Sequence, residues 1–118
     1  MNTNWDFNII SVTGLMGLIF VIAAIIMYCY PPKKINHLYG YRTSASMASQ
    51  QRWDFSQKYS TRIMLWGGLL FTVTGLLFIL LKIPMLTDTC IGLLGAVIFT
   101  AFIFIKTERE LKKRFGKN

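Results

Sequence analysis

Three runs of this sequence are almost free of charge, and they restrict what the chain can become. Residues 9–30 give 22 positions without a charged side chain, 63–81 give 19, and 85–105 give 21 with Asp88 alone near the start. A helix needs about 20 apolar residues to cross the roughly 30 Å hydrocarbon layer of a bilayer. The pattern therefore predicts an all-α integral membrane protein with three transmembrane helices, at about 9–30, 63–81 and 85–105. These form one membrane domain over 1–118, with a loop at 31–62 and a basic tail at 106–118. A water-soluble three-helix bundle would need a polar face on each helix. GLMGLIFVIAAIIMYCY has none, and in IMLWGGLLFTVTGLLFIL only Thr72 and Thr74 are polar.

Charge sets the expected orientation. The chain holds 13 Lys and Arg against 5 acidic residues, a formal charge of +8. In a soluble domain that surplus would suggest nucleic acid or acidic lipid. Given the oily runs, the expected partners are membrane lipids, anionic headgroups among them, and no nucleic acid. Lys33, Lys34, Arg42, Arg52, Lys58 and Arg62 follow the first run, with Asp54 as the only acid. Lys106, Arg109, Lys112, Lys113, Arg114 and Lys117 follow the third, with Glu108 and Glu110. The link KIPMLTD balances Lys82 with Asp88. Basic segments stay in the cytoplasm, which predicts an outside amino end and a cytoplasmic carboxyl end. The anionic inner leaflet reinforces that choice. Trp5 and Phe7, Tyr28 and Tyr30, and Tyr59 and Trp66 stand where interfacial aromatic belts are expected. MNTNWDFN has no basic residue and the first oily run is long, so this segment is expected to remain in the protein rather than act as a cleaved signal.

Pro31 and Pro32 should end the first helix and Pro84 the second. Thr87 or Asp88 is the expected cap of the third, which starts at Met85 or Thr87 in a tight antiparallel hairpin. Small residues suggest where the helices meet: Gly14, Gly17 and Ala24 with Val21 on the first, Gly68, Thr72 and Gly75 on the second, Gly92 and Ala96 on the third. Adjacent Gly67 is expected to permit packing. Cys29 and Cys90 fall near opposite membrane faces, too far apart for a disulfide, and no Cys/His cluster offers a metal site.

The loop carries the most elaborate sequence. PPKKINHLYGYRT predicts a turn near Gly40. SASMASQQRWDFSQKYSTR lacks Pro and Gly, so it can be helical from a cap at Ser44 or Ser46 and can run directly into the second span. Met47, Trp53, Phe55 and Tyr59 make no clean apolar stripe. Arg42 has the planar donors to hold a phosphate or carboxylate. Trp53 supplies a packing ring and Asp54 a candidate acceptor for Arg42. Ordinary interface anchoring uses the same residue types, and both readings stand at this point.

NHLYGYRTSASMASQQRWDFSQKYS resembles the SdpI-like family of small bacterial membrane proteins, named after the immunity protein of a sporulation-delaying peptide toxin. The resemblance rests on Asn36, Tyr39, Gly40, Arg42 and Thr43, followed by Trp53 and, in the closing part, Tyr59. Ser44 stands where a proline often follows the Arg-Thr pair. Gln57 and Lys58 stand where an asparagine or histidine with a basic neighbour is common. The resemblance covers about residues 18–81 and, more loosely, the third span. It implies immunity through binding, with a peptide toxin or a cytoplasmic transcriptional repressor as the partner.

The residue inventory favours a binder over other classes. An enzyme needs a poised nucleophile, acid, base or metal. The five acids form no evident pair, and His37, the single histidine, has no catalytic companion. No cofactor is expected. A transporter usually carries ionisable groups or broken helices at mid-membrane, which these runs lack. The expectation is a membrane interaction protein conferring resistance to a membrane-active peptide toxin. The alternatives are a small regulator that binds another membrane protein or a repressor, and a subunit of a small-molecule or lipid transporter. Homo-oligomerisation stays open.

Overall fold

The structure, a computed structural model, describes residues 10–116. Trp5 and Phe7, expected in the outer aromatic belt, lie outside the described residues. Three helices account for most of the chain: α1 over Val12–Cys29, α2 over Gln50–Leu80 and α3 over Met85–Phe115, with a short 3₁₀ turn at Ser46–Ala48. All three are long and apolar enough to cross a membrane. The molecule is an all-α, three-helix membrane-spanning bundle.

The helices pack through their small residues. Gly17 of α1 lies against Gly68 and Thr72 of α2, and Gly75 faces the backbone of Gly14. A Cβ on Gly17 would come within 2.7 Å of the Gly68 carbonyl oxygen. Gly92 brings α3 against Thr13. The faces expected from Gly14, Gly17, Gly68, Thr72 and Gly75 are thus the contact faces. Close backbone approach is what holds helices in lipid, where apolar surface gains nothing from leaving the acyl chains. Gly67 receives the ring of Phe99, so it also serves packing. Phe20, Phe71 and Phe99 make edge-on and tilted ring contacts at 4.9–5.8 Å between centroids. The outward faces, including Leu18, Ile22, Leu76 and Leu94, are broadly exposed apolar surface suited to lipid.

The ends of α2 and α3 differ from the sequence expectation in instructive ways. Ser49, not Ser44 or Ser46, caps α2, its hydroxyl accepting the Arg52 N–H at 3.1 Å. Ser46 is instead buried and exchanges hydrogen bonds with Thr43. From Ser49 the helix continues without a break through Leu80. Helix α3 starts at Met85 behind Pro84, and no side chain caps it. Neither Thr87 nor Asp88 acts as its N-cap. Its other end is also longer than the oily run: the basic tail stays helical to Phe115. At about 1.5 Å per residue, α2 and α3 each span about 46 Å. Both therefore project well past the hydrocarbon layer at the end where the 30–49 loop lies. The described chain is 59 × 25 × 20 Å.

Candidate functional site: a folded cap at the loop end

The projecting parts of α2 and α3, with the loop around them, form a packed unit rather than a tether. Its apolar centre is Tyr41, Ile103 and Leu111, flanked by Ala45, Phe55 and Phe115. Trp53 is fully buried and its indole N–H donates to the Pro32 carbonyl. That bond fastens the exit of α1 to the start of α2. Tyr39 closes α1 from below: its hydroxyl donates to the carbonyl of Tyr30 at 2.6 Å. The last carbonyls of a helix have no partner within it, so this is a C-terminal cap supplied by the loop. Asn36 shapes the approach, its side-chain oxygen accepting the N–H groups of Leu38 and Tyr39 at 2.9 and 2.7 Å. Gly40 has φ +105°, the left-handed region that glycine adopts without steric cost.

Tyr41 is the hub. Gln57 of α2 reads its backbone twice, accepting the Tyr41 N–H at 2.7 Å and donating to the Tyr41 carbonyl at 2.7 Å. The Tyr41 hydroxyl donates to the Glu108 carboxylate of α3 at 2.7 Å, and the Thr43 hydroxyl donates to the same oxygen at 2.7 Å. Burial, then the hydrogen bond to Glu108 and its charge, push the Tyr41 phenol far above its ordinary range. At the far end Arg52 of α2 donates to the carbonyls of Phe115 and Gly116 at 3.0 and 2.8 Å, capping α3. Arg114 lies over the Phe55 ring at 4.6 Å. The loop is thus tied to all three helices at this end, and α2 to α3.

The residues singled out from sequence divide into two groups, with Tyr59 apart from both. Asn36, Tyr39, Gly40, Thr43 and Trp53 hold the cap together. Arg42 and Asp54 are exposed and do not meet. Arg42 donates to the His37 carbonyl across the Gly40 turn, and Asp54 accepts from Gln50 at 2.7 Å. The expected Arg42–Asp54 pair is therefore not formed: Asp54 points along its own helix face toward the residue one turn before it. Tyr59 stacks on Phe55 at 5.3 Å. Sequence reasoning missed Tyr41, Gln57 and Glu108. Arg52, Trp53, Ser56, Gln57, Ser60 and Thr61 are all buried. Their spacing is helical, and it forms a small and polar stripe where an apolar one was sought.

The other end of the bundle is closed by Asp88. Fully buried, its carboxylate accepts from the Ser11 hydroxyl at 2.9 Å and from the backbone N–H groups of Val12 and Thr13 at 2.9 and 3.1 Å. Cys29 and Cys90 are both free. Among the described residues no group of three or more His, Cys, Asp or Glu is placed to hold a metal ion.

The loop and the start of α2, which build much of the cap, lie within the family match. The model of the SdpI/YfhL protein family matches residues 33–107. This chain belongs to the SdpI/YfhL family. It is 35% identical over 105 residues to an uncharacterized protein, YfhL, of Bacillus subtilis strain 168, covering 85% of this chain and 86% of that one. No solved structure matches. With three helices long and apolar enough to cross a membrane, this chain is a multi-pass member. The match begins at Lys33 and ends at Thr107, so it encloses Asn36–Thr43, Trp53, Gln57 and the whole of α2.

Proposed function

We propose that the cap is a partner-binding head on the cytoplasmic side of the bacterial inner membrane, and that binding there protects the cell from a membrane-active peptide toxin. The observation that carries this reading is the division of labour within the signature. Most of it is consumed in building a rigid cap, while Leu38 and Arg42 are left on the outside at one turn. Among the described residues Leu38 is the most exposed large apolar side chain, at 91%. An apolar tip beside a guanidinium suits a partner that offers an apolar groove and an acidic group. Charge supports the orientation in this reading: every described Lys and Arg except Lys82 lies at the cap end, as a cytoplasmic cap would have it.

A second reading, docking of a cytoplasmic regulator such as a repressor, draws on the outer face of α3. There Lys106, Arg109, Lys112 and Lys113, with Glu110 among them, line an open and mostly basic cleft of about 520 Å³. Transport gains no comparable support, because Asp88, the acid within the oily runs, is engaged by the first turn of α1.

The test is protection. A peptide-sensitive host expressing the chain is challenged with a panel of membrane-active peptides, with survival and membrane potential as readouts. Protection by wild type that Leu38→Glu with Arg42→Glu abolishes, at equal membrane abundance, supports the proposal. Equal protection by both contradicts it.

A further inference from the structure

A second surface, separate from the Leu38 tip, has the makings of a lipid site. Near the cap, residues of α1 and α2 line a groove of about 570 Å³. Its walls are apolar, with Ile25 on α1 and Leu65 on α2. Lys58, Arg62 and Trp66 also line it. They are spaced by four residues on α2, so they stand above one another on one helix face. Arg62 is the last charge before the oily run of α2 begins at Ile63. The two cations therefore sit at headgroup depth, and Trp66 sits one turn deeper, 66% exposed. Tyr28, 82% exposed, lines the groove from α1. No acidic side chain lines it.

The groove's polar groups are not all used by the protein. Gln57 spends its amide on the backbone of Tyr41. Thr61 is only 7% exposed and lines the groove. Among the described residues its hydroxyl has no hydrogen-bond partner, and Lys58 and Arg62 have neither a hydrogen bond nor an ion pair. A threonine hydroxyl with no protein partner, beside two cations with no acidic neighbour in the groove, suits an oxygen-rich anion. The walls below call for hydrocarbon.

We propose that this groove binds one anionic phospholipid, with its phosphate between Lys58 and Arg62, a headgroup oxygen at Thr61, and an acyl chain along Ile25 and Leu65. Arg62 supplies the planar fork that fits a phosphate and Lys58 a mobile point charge. The site is independent of the partner reading, since it uses neither Leu38 nor Arg42.

The experiment uses the full chain, purified in mild detergent and delipidated. Native mass spectrometry follows retention of phosphatidylglycerol against phosphatidylcholine of the same acyl composition. Wild type is expected to hold one phosphatidylglycerol per chain in preference to phosphatidylcholine. Lys58→Gln with Arg62→Gln is expected to weaken that binding by about tenfold or more, and Thr61→Val by a smaller factor. Lys112→Gln with Lys113→Gln, which removes two cations from α3 instead, is expected to leave it unchanged. Thermal unfolding in phosphatidylcholine nanodiscs checks that each variant is folded; Arg62→Lys takes the place of the double variant if that one is not, with a loss of preference again expected. Glycerophosphate, a headgroup without chains, is expected not to compete. The proposal is overturned by equal retention of the two lipids, by equal losses in the α2 and α3 variants, by unchanged retention in the groove variants, or by competition from glycerophosphate at the lipid's own concentration.

Discussion

Asp88 caps a helix that is not its own: its carboxylate sits in the first turn of α3, yet accepts the backbone N–H of Thr13 in α1 at 3.1 Å. The amino end of a helix leaves unpaired N–H groups and a partial positive charge, and a carboxylate answers both. Ser11 adds a second cap, accepting the Gly14 N–H at 3.2 Å while its own hydroxyl donates to Asp88. The return contact, the Thr13 hydroxyl donating to the Asp88 carbonyl at 3.2 Å, locks the two helix starts together.

Asp88→Ala is therefore expected to lower stability by about 2–4 kcal/mol, because it strands buried donors of α1 as well as removing the cap. Asp88→Asn keeps one acceptor oxygen and is expected to cost less. Thermal unfolding in detergent reads both. Equal, negligible losses would mean that the cap does not hold α1.

This contact shows where sequence reading stops. Asp88 was visible as a lone acid beside Pro84, and local rules offered it to the helix that contains it. Its real partners lie 75–77 positions away, a separation that no local pattern encodes. The spans were legible because their signal is local: about 20 uncharged residues have few other options. The small faces were legible too, since Gly17, Gly68 and Gly75 fall at helical spacing. The cap was half legible. Gly40 announced its turn, and Trp53 its importance. Glu108 did not announce itself, because only the fold brings it to Tyr41.

The Tyr41–Glu108 bond predicts a measurable coupling. Tyr41→Phe removes the hydroxyl from a charged acceptor, with an expected cost of about 1.5–3 kcal/mol. Combined with Glu108→Gln, the losses should fall short of additive by about 0.5 kcal/mol or more, as for residues in direct contact. A double-mutant cycle by thermal unfolding measures this. Strict additivity would separate the two residues energetically.

The same phenol predicts a pH dependence. Its proton is held more tightly in the folded protein than in the unfolded chain, where the ordinary value is 10.0. Below that value both states are protonated, and the contribution of Tyr41 is fully present. Above it the unfolded chain gives up the proton first, so stability falls as pH rises. Unfolding followed from about pH 9 to about pH 12 should show a steeper alkaline loss in wild type than in Tyr41→Phe. Parallel curves would contradict this.

The glycine contacts give a steric prediction. Gly17→Val places branched atoms against the Gly68 carbonyl and Thr72, and Gly75→Val does so against the Gly14 backbone. Each is expected to cost about 1–3 kcal/mol or more through forced separation of α1 and α2. Gly95→Ala meets only the Phe71 ring, at 3.3 Å, and should be milder. Detergent unfolding orders the three; a larger loss at Gly95 would place the critical contact elsewhere.

In-cell photocrosslinking reads whether the Leu38–Arg42 tip of the cap meets a partner on the cytoplasmic side. A photoreactive residue is placed at Leu38 and, separately, at Leu94 on the exposed face of α3, in cells under peptide challenge. Lys82→Cys and Ser44→Cys variants, in a background without Cys29 and Cys90, report sidedness. An impermeant thiol reagent is expected to reach Lys82→Cys in intact cells and Ser44→Cys only after permeabilisation. One discrete crosslinked partner that disappears with Arg42→Glu is expected from Leu38, and only lipid from Leu94. Labelling of Ser44→Cys from outside, or a discrete partner at Leu94 with none at Leu38, would contradict the partner proposal.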